Sequence, residues 1–185
     1  MVRVLALVLG IAWLLGSRMV LVGLGSNQGD SPHIIERAMQ RLAAFAQGPL
    51  RCSSLWRTSA VDCPPNSPDF INAAAAFEPR PGLTPEGLLA SLKALELEFG
   101  REPVRVRNAP RALDLDLLLF GDATRASADF QLPHPRAVNR RFVLAPAAEV
   151  LPEAVWPGQT LTIAELLAGL DSDERVVRMA DALTD

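Results

Sequence analysis

The run Pro110-Arg111-Ala112-Leu113-Asp114-Leu115-Asp116-Leu117-Leu118-Leu119 constrains this chain more than any other stretch. It reads as a buried strand that carries two carboxylates two residues apart. Successive side chains of a strand point to opposite faces. Leu113, Leu115, Leu117 and Leu119 are therefore predicted on one face, and Asp114, Asp116, Leu118 and Phe120 on the other. A solvated sheet face would accommodate two aspartates, but Leu118 and Phe120 continue that face with apolar groups. Burying an unpaired carboxylate costs several kcal/mol. A divalent cation is the simplest compensation, because hard cations take oxygen ligands, so Asp114 and Asp116 are the candidate metal ligands. Arg111, three residues earlier, adds a cation. Aspartates, Mg²⁺ and arginine together suit phosphate chemistry.

The elements around this strand follow from periodicity and punctuation. Strand one is predicted over Met19 to Leu24, ending in the turn-rich Gly25-Ser26-Asn27-Gln28-Gly29-Asp30. A helix follows, with Ser31 as its cap, Pro32 in its first turn, and Ile34, Ala38, Leu42 and Phe45 at helical spacing. Strand two runs from about Leu50 to Thr58, a proline-rich loop from Ser59 to Asp69, and strand three from Phe70 to Glu78. Helix two starts at Thr84-Pro85-Glu86, buries Leu88, Leu92, Leu95 and Phe99, and stops at Gly100. A basic loop with Arg101, Arg105 and Arg107 leads into strand four, Leu113 to Phe120. The order β-α-β-β-α-β is the ferredoxin-like α+β arrangement, an antiparallel sheet with helices on one face. C-terminal helical additions are expected near 139–148 and 163–170, and the last dozen residues as a polar helix end or a loose tail.

Other residues read two ways. The arginines at 101, 105, 107 and 111 are a solvated charge run when taken alone, and phosphate forks when set beside a metal. His134, between two prolines, is either structural or a phosphate contact in a loop that also carries Arg136, Arg140 and Arg141. Gly25-Ser26-Asn27 is a polar turn or a phosphate cradle, but not a P-loop, because no Gly-Lys-Ser/Thr follows. Asn72 is either satisfied by backbone at a strand end or reads a donor/acceptor edge of a heterocycle. Phe70 and Phe142 are core residues or a clamp on a flat ring.

Totals narrow the classes. A chain of 185 residues, 49% apolar and 21% charged, suits a folded domain with a sizeable core. A net charge of −3 argues against a surface that coats nucleic acid. Cys52 and Cys63 lack zinc spacing and are read as reduced thiols of a cytoplasmic protein. Residues 1–18 are an apolar extension. It has the general look of a signal peptide without an evident cleavage site, and its apolar run is shorter than the ~20 residues of a membrane span. The favoured reading is a mis-called start upstream of Met19, with 19–185 as one domain.

Taken together, the pieces resemble 6-hydroxymethyl-7,8-dihydropterin pyrophosphokinase of folate synthesis. The stretches that carry the resemblance include Leu24-Gly25-Ser26-Asn27, Pro68-Asp69-Phe70-Ile71-Asn72, Glu96 to Arg101, Pro110 to Leu118, and Pro133-His134-Pro135-Arg136 through Arg140-Arg141-Phe142. The resemblance covers roughly residues 19 to 157. It implies transfer of pyrophosphate from ATP to the pterin hydroxymethyl group, releasing AMP, with two Mg²⁺ ions on Asp114 and Asp116. It assigns Arg101, Arg111, His134 and Arg140 to ATP phosphates or to the transferred group, with Arg101 and Arg111 catalytic beside the aspartates. Glu96 and Leu117 join the ATP side. Asn72 is the pterin hydrogen-bond partner, Phe70 and Phe142 are the clamp, and Gly25, Thr58, Val61 and Asp114 complete the pterin pocket. Pro103, Asn108 and Pro135 depart from the family pattern and bear on the adenine and loop contacts. The expected partners are ATP and the pterin alone, with no nucleic acid and no membrane, acting on a monomer. Two rivals stand beside this reading. A nucleotidyl transferase would release pyrophosphate instead of AMP, and a non-catalytic ferredoxin-like module would turn over no ATP.

Overall fold

In a computed structural model that describes residues 19–60, 63–65, 67–100 and 109–180, the central strand is β1, Val20–Ser26. It is buried almost throughout because it has a strand on each side and helices over both faces. β4 (Phe70–Phe77) pairs with one edge of β1 and β5 (Asp114–Phe120) with the other, both antiparallel. Beyond β4 lie two short segments, β2 (Arg51–Cys52) and β3 (Trp56–Thr58), and β8 (Val176–Arg178) closes that side of the sheet. The strand order is thus β5-β1-β4-β3-β8. β6 (Arg125–Ala126) and β7 (Gln131–Leu132) form a separate hairpin.

The single strand expected over residues 50–58 is split, and register gives the reason. Cys52 faces Ala75 while Trp56 faces Asn72, so the outer chain carries one residue more than its partner. Ser53 absorbs the excess. Its N–H donates to the Ala74 carbonyl (2.9 Å), and its hydroxyl accepts the Ala74 N–H (2.9 Å) in place of a ladder carbonyl.

β5 also departs from strict alternation. Val22 pairs with Leu117 and Leu21 with Leu119, which leaves Leu118 as the extra residue of a bulge. Leu113, Leu115 and Leu117 face one layer as predicted, but Leu118 and Leu119 both pack into the other, and Phe120 packs against the first. Leu119 and Phe120 thus take the faces opposite to those expected.

α1 (Ser31–Leu42) and α2 (Pro85–Glu98) cover one face, burying Ile35, Ala38, Leu42, Leu88, Leu92 and Leu95 against Val20, Val22, Leu24 and Leu115. The cap of α1 is Asp30, not Ser31. The Asp30 carboxylate accepts the His33 N–H (3.4 Å), and Ser31 sits inside the helix, its hydroxyl accepting from that of Ser26 (2.8 Å). α2 begins as predicted, with the Thr84 hydroxyl accepting the Gly87 N–H (3.1 Å), and the chain leaves it through Gly100 at φ +90°.

The C-terminal additions, α3 (Arg141–Val150) and α4 (Ile163–Gly169), pack on the opposite face over Leu21, Ala74, Ala76, Leu118 and Leu119. The two core helices share one face as expected, and the C-terminal additions cover the other. This second cover stops short of the Gly25 end of β1, and the candidate site occupies the part of the face left open. The tail expected after residue 173 instead supplies β8, whose backbone completes the unpaired edge of β3. The expectations for residues 1–18, Val61, Arg101, Pro103, Arg105, Arg107 and Asn108 lie outside the described residues.

Candidate functional site

Residues directly opposite in an antiparallel ladder share a face. Asp114 lies opposite Gly25, Gly25 opposite Asn72, and Asn72 opposite Trp56, in one row across four strands. Asp116, Gly23 and Ala74 form the next row. The two glycines leave the space between the aspartates and Asn72 without side chains. That space opens into a cavity of about 260 Å³. Thr58, Phe70, Asn72, Arg111, Asp114, Asp116, His134, Arg140 and Phe142 all line it, together with Gly25. These residues come from six separate stretches of the sequence.

Most of the candidates therefore meet. Two do not reach the cavity wall. Leu117 is buried in the core on the α1–α2 face of the sheet and is not among the residues that line the cavity. Glu96 lies behind β5, where its Oε1 accepts the Leu115 N–H (2.7 Å) and the Lys93 ammonium (3.0 Å). Burial raises the Glu96 pKa. The Leu115 and Lys93 hydrogen bonds oppose that rise, and the Asp114 charge adds to it. Glu96 thus fixes α2 to the strand that carries both aspartates, and Lys93, held by the same carboxylate, reaches the cavity.

The electrostatics are those of a site built for anions and cations together. Burial pushes the Asp116 pKa up and the neighbouring Asp114 charge pushes it further, while His134, Lys93 and Arg111 pull it down. Arg111 Nη1 donates to Asp114 Oδ2 (3.0 Å). Desolvation lowers the pKa of His134. The Asp116 and Asp114 charges oppose this, and those of Arg140 and Arg136 add to it. Arg111 stands over the Phe70 ring at 5.8 Å from its centroid and Arg140 over Phe142 at 5.3 Å, so each aromatic is held in place by a guanidinium. Nε of Arg111 and Nδ1 of His134 are buried without a hydrogen-bond partner among the described residues. Such atoms are costly unless a ligand satisfies them.

The donor set fits Mg²⁺. Two carboxylates on one face, one of them disfavoured as an anion by burial and by its twin, gain from a hard divalent ion. No group of three His, Cys, Asp or Glu converges among the described residues. The remaining ligands would be phosphate oxygens and water, the usual way Mg²⁺ is held.

Sequence reasoning read Asn27 as part of a polar turn or phosphate cradle and did not find its structural joint. Asn27 is buried, exchanges backbone and side-chain hydrogen bonds with Arg111 (3.1 and 2.8 Å), and donates from Nδ2 to the Pro68 carbonyl (3.3 Å). It thereby joins the loop after β1, the proline-rich loop and the approach to β5. Asn27→Ala is expected to lower the unfolding free energy by about 2 kcal/mol, since it orphans buried partners. The urea midpoint reads this, and a loss under about 0.5 kcal/mol would show that the three-loop joint carries no load. Gly23 and Lys93 were also missed. The only hint of the second was its i, i+3 spacing from Glu96.

A sequence model of the family described as 7,8-dihydro-6-hydroxymethylpterin-pyrophosphokinase matches residues 21–152. Over 152 residues the chain is 40% identical to a Synechocystis protein named 2-amino-4-hydroxy-6-hydroxymethyldihydropteridine pyrophosphokinase, covering 81% of this chain and 75% of that one. A Methylorubrum extorquens protein of the same name is 36% identical, with 81% and 92% covered. An Arabidopsis thaliana folate synthesis bifunctional protein is 36% identical over 71% of this chain, which spans only 27% of that longer protein. Among solved structures, the Plasmodium falciparum HPPK-DHPS chain crystallised with pteroate superposes with a TM-score of 0.61 at 13% identity, covering 81% of this chain and 42% of that one. At that identity the likeness concerns the fold.

Proposed function

The chain belongs to the 7,8-dihydro-6-hydroxymethylpterin-pyrophosphokinase family, and from that premise we propose that its cavity transfers pyrophosphate from ATP to the hydroxymethyl group of the dihydropterin. The observation that supports this reading is the shared row of Asp114, Gly25 and Asn72, in which a carboxylate suited to a metal lies across one strand from an amide suited to a heterocycle edge. A nucleotidyl transferase or a plain binding module has no use for the pair of phenylalanines and the amide on the far side of the aspartates.

Each residue has a physical task. Asn72 Nδ2 donates to the Thr58 hydroxyl (2.8 Å), which fixes the amide plane and presents the carbonyl oxygen toward Gly25 and the ring slot. Phe70 and Phe142 enclose the flat ring. Asp114 and Asp116 would hold two Mg²⁺ ions, which when bound neutralise phosphate charge and acidify a nearby hydroxyl. Arg111, His134 and Arg140 bind the triphosphate and present donors to charge as it develops. The pterin oxygen would form a bond to the β-phosphorus and give its proton to water as the bond from that phosphorus to the α,β-bridging oxygen breaks, so AMP departs with that oxygen. Arg101 belongs to the same set by its match to the family motif. We place the reaction in the cytoplasm on a monomer. No helix among the described residues is long and apolar enough to cross a membrane.

The deciding experiment is a Mg²⁺-dependent assay for AMP with and without the pterin. AMP should appear only when ATP, Mg²⁺ and pterin are all present. Release of pyrophosphate instead, or no turnover, overturns the reading. Phe142→Ala is expected to weaken pterin binding by about tenfold or more, as loss of one stacking face does. Calorimetry with a non-hydrolysable ATP analogue measures it, and unchanged affinity would remove Phe142 from the slot.

A further inference from the structure

The stretch after Pro152 lies beyond the residues matched by the family, and none of residues 170–180 lines the cavity. That segment nevertheless holds both of the cavity's walls. One wall is the N-terminus of α3, which brings Arg140 and Phe142 to the cavity. There the Phe142 N–H donates to Glu174 Oε2 (3.1 Å), and the Arg141 guanidinium donates to the Leu170 carbonyl (2.8 Å). The first N–H groups of a helix need acceptors from outside it. The residue at the cap position is Arg140, whose side chain has no acceptor to offer. A carboxylate delivered from elsewhere fills that need and matches the positive end of the helix dipole.

The other wall is β3, with Thr58 and Ser59. Val176 of β8 pairs with Thr58, and the Ser59 N–H donates to the Arg175 carbonyl (3.1 Å). Glu174 and Arg175 are consecutive, so a single stretch of backbone ties the clamp wall to the Thr58 wall. At its far end the segment is anchored again. Arg178 Nε meets Glu149 Oε1 of α3 (2.8 Å) and the Ser54 hydroxyl (2.9 Å), and the Met179 N–H donates to the Leu55 carbonyl (2.8 Å). Glu149 itself accepts the Ser54 N–H (2.7 Å). Both ends of α3 are therefore fastened to the β3 side through one segment.

We infer that residues 170–178 are a brace that sets the width of the pterin slot, and that Glu174 is the positioning residue that holds Phe142 at its station opposite Thr58. The brace touches neither substrate. Its effect falls mainly on the pterin, because Asp114, Asp116 and Arg111 are held by β1, Glu96 and Asn27, which the brace does not contact, and of the described triphosphate contacts only Arg140 sits at the braced helix end. The inference rests on the proposed reaction.

The test compares the whole protein with Glu174→Ala and Glu174→Gln in steady-state AMP release, varying pterin at saturating ATP and then ATP at saturating pterin. Glu174→Ala is expected to raise the pterin KM roughly five- to tenfold, with a smaller change, under about threefold, in kcat and the ATP KM, since Arg140 shares the braced helix end. Glu174→Gln keeps an acceptor oxygen and should return the pterin KM to within about twofold. A purely structural cap would lower the melting temperature and leave this split absent. An unchanged pterin KM, or parallel losses in both KM values and kcat, overturns the inference. Should Glu174→Ala fail to fold by circular dichroism, Glu174→Asp, one methylene short of the Phe142 N–H, takes its place with an expected threefold or greater rise. A parent protein that releases no AMP overturns the reaction assignment instead. In that case amide exchange decides the brace: faster exchange at Phe142 and Ser59 in Glu174→Ala supports it, and unchanged exchange sinks it.

Discussion

Asp116→Ala lowers kcat by on the order of 10³-fold or more while pterin affinity falls by less than tenfold. This is the expected result of removing one of the two carboxylates that would hold Mg²⁺, and it follows from where Asp116 stands. Gly23, with no side chain, separates it from Ala74, and it is one row removed from Asn72, so its loss leaves the ring slot intact. Its burial beside Asp114 disfavours its charge more than His134, Lys93 and Arg111 favour it, and a divalent cation would offset the remaining cost. The substitution should therefore not destabilise the fold, since it removes a buried charge repulsion. The measurements are steady-state turnover, calorimetric pterin binding with an ATP analogue, and a urea midpoint. Equal losses in rate and pterin affinity would count against a metal role.

Gly25→Val is the second large effect, and it acts on the opposite substrate. A Cβ at Gly25 would lie 3.0 Å from Asn72 Oδ1, 3.9 Å from Phe70 Cδ1 and 4.0 Å from Asp114 Cβ. Ordinary contact begins near 3.5 Å, so even one carbon presses on the amide, and the two further methyl groups of valine fill the floor of the slot. Pterin affinity should drop on the order of 100-fold, through lost space and a displaced hydrogen-bonding edge. Mg²⁺-ATP binding should stay within a few-fold, because Arg111, His134 and Arg140 are untouched. Binding of each ligand measured alone separates the two. A variant that binds pterin within threefold of the parent would show that the slot does not pass over Gly25.

Much of the fold was readable because its signals are local. The alternation in Leu113–Leu117, the Thr84 cap followed by leucines at helical spacing, and the stop at Gly100 each depend on a few neighbouring residues. The misreadings share a different cause. The bulge at Leu118 and the break at Ser53 are mismatches in length between paired strands, and neither strand carries that information by itself. Asp30 outcompeted Ser31 as the cap of α1 because the Ser31 hydroxyl is engaged by Ser26, a residue of another element. β8 was invisible because a three-residue strand, Val176–Arg178, is too short to show a period, and it exists only because β3 offers an unpaired edge.

The chemistry of the site was set by residue type alone. The hard-cation and phosphate chemistry proposed here follows from a pair of aspartates within a leucine run, a histidine between prolines and a crowd of arginines, because ionisation and coordination preferences belong to the side chains. Which of those groups meet was decided by the sheet. Register put Asp114, Gly25 and Asn72 in one row, turned Leu117 and Glu96 away from the cavity, and brought Glu174, far along the chain, to the end of the helix that carries Phe142. Such convergence is a property of long-range pairing, which a linear sequence holds only jointly among distant residues and never at a single position.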